Sequence, residues 1–154
     1  MFRTLIISFY CVISIVNYAN AEIYGGISLD YGIPHSGNER MHSSIILGNR
    51  VDKENYSYGG ELDVGSSIDS RVTYTTLRVR FLVGLPLEIF TPQIGLGNTI
   101  YIDNGKDYAS FNISGGIETD YFNNSKLRLE AIRDFNPDHT TPVTAIRVAF
   151  LLPF

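Results

Sequence analysis

Thiols are almost absent from this chain. Its 154 residues include one cysteine, Cys11, and no tryptophan. Cys11 lies in an apolar stretch near the amino terminus, and everything after it is thiol-free. A disulfide framework, thiolate catalysis and cysteine-based zinc sites are thereby excluded. Basic residues are also few, 12 against 16 acidic, giving a formal charge of −4 and a pI near 5.3. Nucleic-acid binders carry strongly basic surfaces, so nucleic acid is not an expected partner. No segment after residue 21 repeats apolar residues at i, i+3, i+4 and i+7, the spacing of an amphipathic helix. What remains has one domain's length. Hydrophobic residues make up 44%, too many for a disordered chain. The mean hydropathy of +0.03 looks like that of an ordinary soluble protein.

The amino terminus reads as an export signal. Arg3 supplies a positive start, Leu5 to Val16 form a mostly apolar run, and Ala19-Asn20-Ala21 is a small-residue cleavage site. The pattern predicts a cleaved secretory signal over 1–21 and a mature domain over 22–154. Small secreted eukaryotic domains usually depend on disulfides, so an exported chain without them fits a Gram-negative envelope better. Ser8-Phe9-Tyr10 ahead of Cys11 does not match a lipoprotein signal, so no lipid anchor is expected.

Period-two alternation fits nearly everywhere else. Between residues 56 and 69, Tyr56, Tyr58, Gly60, Leu62, Val64, Ser66 and Ile68 share one face. Ser57, Gly59, Glu61, Asp63, Gly65, Ser67 and Asp69 share the other, because successive strand side chains point to opposite sides. The same reading gives eight runs: 22–32, 41–51, 56–68, 71–85, 88–102, 107–121, 126–136 and 141–154. Turn chemistry separates them, as at Asp103-Asn104-Gly105-Lys106, Asn123-Asn124 and Asp52-Lys53-Glu54-Asn55. Short connections imply antiparallel neighbours. The prediction is an all-β, eight-stranded antiparallel up-and-down barrel, since closure removes both exposed edges.

Such a barrel faces its apolar side either inward, like a soluble lipocalin-type lipid carrier, or outward to lipid. Most runs reach 11–15 residues, enough for the ~9–11 tilted residues that cross a bilayer. The apolar face is nearly free of charge, with Arg133 near a strand end, where a long cation can reach phosphates. The opposite face mixes glycine with both signs of charge. Tyr31, Tyr56, Tyr58, Phe90, Tyr101, Tyr121, Phe122 and Phe154 cluster toward strand ends, where amphipathic rings favour a membrane–water interface. These features favour a transmembrane barrel.

The last run alternates up to a terminal phenylalanine, with Phe150, Leu152 and Phe154 on one face and Pro153 interrupting the pattern. It resembles the carboxy-terminal signature of bacterial outer-membrane barrels. The whole of 22–154 resembles the small eight-stranded members of the OmpA/OmpX and opacity-protein type. The resemblance implies outer-membrane location, insertion by the barrel-assembly machinery through Phe150, Leu152 and Phe154, a lipid and lipopolysaccharide surround, and a monomer. It also implies a structural, envelope-integrity or surface-contact role without catalysis, cofactor or metal. Short rim loops and the absence of a further run beyond Phe154 argue against a large receptor surface and against peptidoglycan anchoring.

With the apolar face outward, the lumen receives Asp30, Glu61, Asp63, Glu118, Asp120 and Glu130 against Arg78, Arg80, Arg128 and Arg147. Eight strands leave an interior just wide enough for side chains, and buried ions must pair. A salt-bridged, non-conducting plug is therefore expected, with Arg78 and Arg80 facing Glu61 and Asp63 across adjacent strands and Arg147 reaching across. A filled lumen admits no sugar between Glu61 and Asp63, which argues against a glycosidase. His35, His42 and His139 fall toward one rim and read as solvated loop residues. The competing reading is a metal site, or a base beside Ser36, Ser43 or Ser44 as in lipid A-modifying barrels, with Asp138 the available acid.

Overall fold

The computed structural model describes residues 21–34, 40–68, 74–103, 106–135 and 142–154. Residues 1–20, with nearly all of the expected signal, lie outside it, as do His35, Ser36, Asn104-Gly105, Asp138 and His139. Eight strands follow one another: β1 (Glu22–Pro34), β2 (Arg40–Asp52), β3 (Ser57–Ser67), β4 (Thr75–Gly84), β5 (Thr91–Asp103), β6 (Lys106–Asp120), β7 (Lys126–Phe135) and β8 (Pro142–Pro153). Each pairs antiparallel with the next, and β8 returns to β1, closing the barrel. Every strand thus has two ladder partners, which is what a sheet needs to meet hydrocarbon without an unpaired edge.

One end of the barrel, the turn end, carries both termini of the barrel and the connections 53–56, 85–90 and 121–125. At the other, the loop end, β1, β3, β5 and β7 finish and β2, β4, β6 and β8 begin. At the turn end β3, β4, β5, β6 and β8 are shorter than the alternation suggests. β5 begins at Thr91 rather than 88, because residues 85–90 form the connection from β4. Leu85 N–H instead donates to Pro92 O (2.9 Å) and Leu87 N–H to Phe90 O (3.1 Å). Asn123 and Asn124 hold φ of 52° and 62° inside a single 3-10 turn, Phe122–Asn124. Asparagine tolerates this left-handed backbone where most residues do not.

Burial alternates with sequence. On β7, Leu127, Leu129, Ala131, Arg133 and Phe135 are exposed, while Arg128, Glu130, Ile132 and Asp134 are buried. The apolar face is the outer one around the whole barrel, with Ile45 70% and Ile94 64% exposed. A lipid carrier in water requires the reverse, so the lipocalin-like alternative does not fit this geometry.

Aromatic rings gather near the ends of this belt. Tyr56 stacks on Tyr58 (6.0 Å) and Tyr121 meets Phe150 edge-on (6.2 Å) at the turn end, while Phe111 packs on Phe135 (6.0 Å) toward the loop end. Tyr101 is a correction: it points inward and is buried, because its place in the β5 alternation matches Thr99, not Ile100. Leu152 faces outward. Phe154 N–H donates to Ile23 O (2.9 Å), and the Phe154 ring lies where a Gly25 Cβ would stand.

Candidate functional site in the barrel lumen

The lumen is filled by ions in two groups. Toward the turn end, Arg50 Nη2 donates to Glu118 Oε1 (2.5 Å), and Glu118 Oε2 accepts from Arg128 Nε and Nη2 (3.1 and 3.0 Å). Arg128 Nη1 donates to Glu61 Oε2 (2.5 Å), Arg80 Nη2 donates to Glu61 Oε1, and Arg80 Nη1 donates to Glu130 Oε1 (2.7 Å). Six charges therefore alternate in sign along one string, each between opposite neighbours except at its ends. Tyr24 donates to Glu61 Oε2 (3.0 Å) and sets its ring 5.7 and 5.9 Å from the Arg50 and Arg128 guanidiniums, within cation–π reach. That ring lies against Gly48, where any Cβ would collide with it.

Toward the loop end the arrangement is a closed quartet. Arg147 grips Asp30 with two bonds of 2.7 Å and reaches Asp63 at 2.5 Å. Arg78 reaches Asp63 at 3.1 Å and Asp30 at 3.5 Å. The register sets much of this pairing: Glu61 lies directly opposite Arg80, Asp63 opposite Arg78, Asp30 opposite Arg147, and Glu118 opposite Arg128. Arg80 to Glu130 and Arg147 to Asp63 instead cross the interior. Two-pronged guanidinium–carboxylate geometry makes such contacts specific as well as strong. The spaces left around Tyr24 hold only about 10 Å³ each, about the volume a single water needs.

The structure brings nine of the ten sequence-selected lumen residues inside: Asp30, Glu61, Asp63, Arg78, Arg80, Glu118, Arg128, Glu130 and Arg147. Asp120 is the exception. It shares their parity but is the last residue of β6, beyond the filled section, with its side chain 84% exposed and Lys126 at 3.7 Å.

Asp134 and Arg50 complete the buried ions, and alternation counted in twos from Glu130 and Gly48 would have found both. Asp134 is held by hydroxyls: Thr99 (3.0 Å), Tyr101 (2.5 Å) and Ser110 (3.1 Å) all donate to it. Among the described residues it is the buried carboxylate with no cation within 4.0 Å, while five buried arginines serve the other five.

This contrast yields a prediction. Arg78→Ala leaves Asp63 and Asp30 each short of a buried partner and is expected to lower the melting temperature clearly. Asp134→Asn removes a charge that lacks a counter-ion and keeps an oxygen for the hydroxyls, so it is expected to shift melting little. Thermal melts of the two variants in detergent check this, and equal losses would contradict the ion-pair assignment.

His42 belongs to the lumen rather than to a solvated loop, because it lies inside β2 with the parity of buried Ser44 and Ile46. Its Nε2 lies 2.8 Å from Thr76 Oγ1, its Nδ1 3.7 Å from Asp30 Oδ2, and its ring stacks on Tyr74 at 5.8 Å. Tyr74 stands just ahead of β4, and burial pushes its phenol up to about 12. The order hydroxyl, imidazole, carboxylate is that of an activated nucleophile. Here Thr76 is almost fully buried and the histidine–aspartate distance exceeds a hydrogen bond, so no acyl group meets the hydroxyl. Ser44 pairs with Ser28 (2.7 Å) instead of with a base. Among the described residues no group of three or more His, Cys, Asp or Glu is placed to hold a metal ion.

No protein-family profile and no curated protein matches the chain. Solved structures do. Neisserial surface protein A (NspA) superposes with a TM-score of 0.57 at 8% identity, covering 88% of this chain and 98% of that one. The outer membrane enzyme PagL gives 0.58 at 14% identity, covering 84% and 99%. The Yersinia pestis outer membrane protein Ail, solved in a phospholipid bilayer nanodisc, gives 0.52 at 11% identity, covering 85% and 99%. The chain has the eight-stranded barrel fold of these small outer-membrane proteins.

Proposed function

We propose that the chain is an integral outer-membrane protein with a sealed, ion-paired barrel and no catalytic activity, serving envelope integrity or surface contact. One observation carries this reading: large apolar side chains cover the exterior while five arginines and six carboxylates are buried inside. Charges fill the place where a soluble protein keeps its hydrophobic core, and apolar residues stand where it meets water. The fold shared with NspA and Ail supports the location. PagL has the same fold and is an enzyme, but the hydroxyl–histidine pair here is closed off inside the barrel.

In this reading residues 1–21 direct export, the barrel-assembly machinery inserts the barrel, lipopolysaccharide and phospholipid surround it as a monomer, and the loop end faces outward. The lumen contributes stability and register rather than transport, since removing one partner of a buried pair leaves an uncompensated charge. Reconstitution in planar bilayers tests the sealed lumen: the full chain is expected to produce no discrete channel steps, and reproducible steps would overturn it. A deletion strain is expected to take up otherwise excluded dyes or antibiotics, and unchanged uptake and surface attachment would remove the envelope role.

A further inference from the structure

The apolar belt is not uniform. Near the loop end, β2, β3 and β4 present Ser43, Ser66 and Thr75 side by side, in register with one another. Met41 and Ile68 frame this row on the loop side, Ile45 and Val64 on the other. Beside this row a groove of about 710 Å³ opens onto the belt, running past Ile45 and Val64 to Ile27 and Leu29 on β1 and Val148 and Phe150 on β8, and it is lined largely by apolar atoms. Ser66 makes only long contacts of 3.4 Å, to Ser67 O and Tyr74 O. Ser43 and Thr75 make no side-chain hydrogen bond among the described residues. Hydroxyls that face hydrocarbon without a partner are costly, so their medium must supply an acceptor.

We propose that the groove holds one acyl chain of an outer-leaflet lipid, with its ester carbonyl accepting from two neighbouring hydroxyls of the Ser43, Ser66 and Thr75 row. This rests on the outer-membrane reading, in which the medium around the belt is lipid. The chain's tail is apolar and matches the groove walls, while the ester that links it to the headgroup accepts hydrogen bonds and donates none. The hydroxyls lie on the loop side of the groove, as they must if the headgroup is at the outer surface: Thr75 opens β4 and Ser66 is next to last in β3. Strands in such barrels tilt by about 35–45°, so a row across them also climbs obliquely through the leaflet, a path a lipid tail can follow.

The lack of native tryptophan allows a clean test. Met41→Trp places a reporter two residues from Ser43 on the loop side of the groove, and Phe135→Trp places one at the loop end of β7, across the barrel from β3. Each full-length variant is reconstituted in phosphatidylcholine vesicles doped with a lipid brominated near the ester end of one chain. Quenching against bromolipid fraction is expected to show about three- to tenfold preferential occupancy at Met41→Trp over Phe135→Trp, the span of one hydrogen bond. Adding Ser43→Ala, Ser66→Ala and Thr75→Val is expected to bring Met41→Trp down to the control. Equal quenching of the two reporters, or a preference that survives the triple change, overturns the groove. Quenching of neither reporter would instead count against membrane insertion itself.

Discussion

Glu61→Ala is expected to abolish, or nearly abolish, the folded barrel. Glu61 is fully buried, accepts from Arg80 and Arg128 through separate oxygens, and receives the Tyr24 hydroxyl. Truncation leaves two buried guanidiniums each short of a carboxylate. Breaking one buried pair costs about 3–5 kcal/mol, because the abandoned charge keeps its desolvation penalty. Two breaks at once approach the whole stability of an ordinary domain, about 5–15 kcal/mol. Glu61→Gln keeps the volume and one acceptor and should fall between the variant and the parent. Urea unfolding in vesicles, followed by the heat-dependent shift in gel mobility, measures the series. Unfolding of Glu61→Ala at the parent's urea concentration would reduce the lumen string to decoration.

Ile45→Arg is expected to be the most damaging change on the outer face. Ile45 lies near the middle of β2 and is among the most exposed apolar residues. A cation on the lipid face costs about 2–4 kcal/mol at the bilayer midplane and about 0–1 near the interface. Tyr31→Arg, close to the loop end of β1, should therefore be mild, as native Arg133 already is, exposed with Nη1 on Thr144 Oγ1 at 3.3 Å. In water both changes would be surface substitutions worth within about 0.5 kcal/mol. The comparison is made by folding yield into vesicles, and equal yields for the two arginine variants would argue against a lipid-facing belt.

Phase along each strand was readable from residues alone, since alternation assigns every position a side once one position is known. The choice of lipid over water followed from which side carried the charges, a property of the sum over strands and not of any one motif. Strand ends were less readable. The connection 85–90 takes up the residues expected to open β5, and Asp120 leaves the lumen only because β6 outruns the filled section. Parity cannot express either fact.

The contacts between neighbouring strands at Glu61–Arg80 and Asp63–Arg78 follow from register, which short turns fix. The cross-lumen contacts do not, because Arg80 to Glu130 and Arg147 to Asp63 depend on how closure superposes distant strands. Alternation from Glu130 places Asp134 inside, but not its partners, because Thr99, Tyr101 and Ser110 are neutral hydroxyls that charge matching does not select. His42 looks like a rim residue because it stands near a loop in sequence, yet its parity with Ser44 and Ile46 turns it inward.

Side-chain hydrogen exchange at the buried arginines tests the sealed, ion-paired lumen most directly. Arg80, Arg128 and Arg147 are at most 1% exposed, and each donates to carboxylates inside the barrel. In the reconstituted protein their guanidinium N–H signals are predicted to exchange orders of magnitude more slowly than those of the exposed Arg133, with protection lost only on unfolding. Exchange of all four at the same fast rate would mean that water fills the lumen, and the sealed polar core would be wrong.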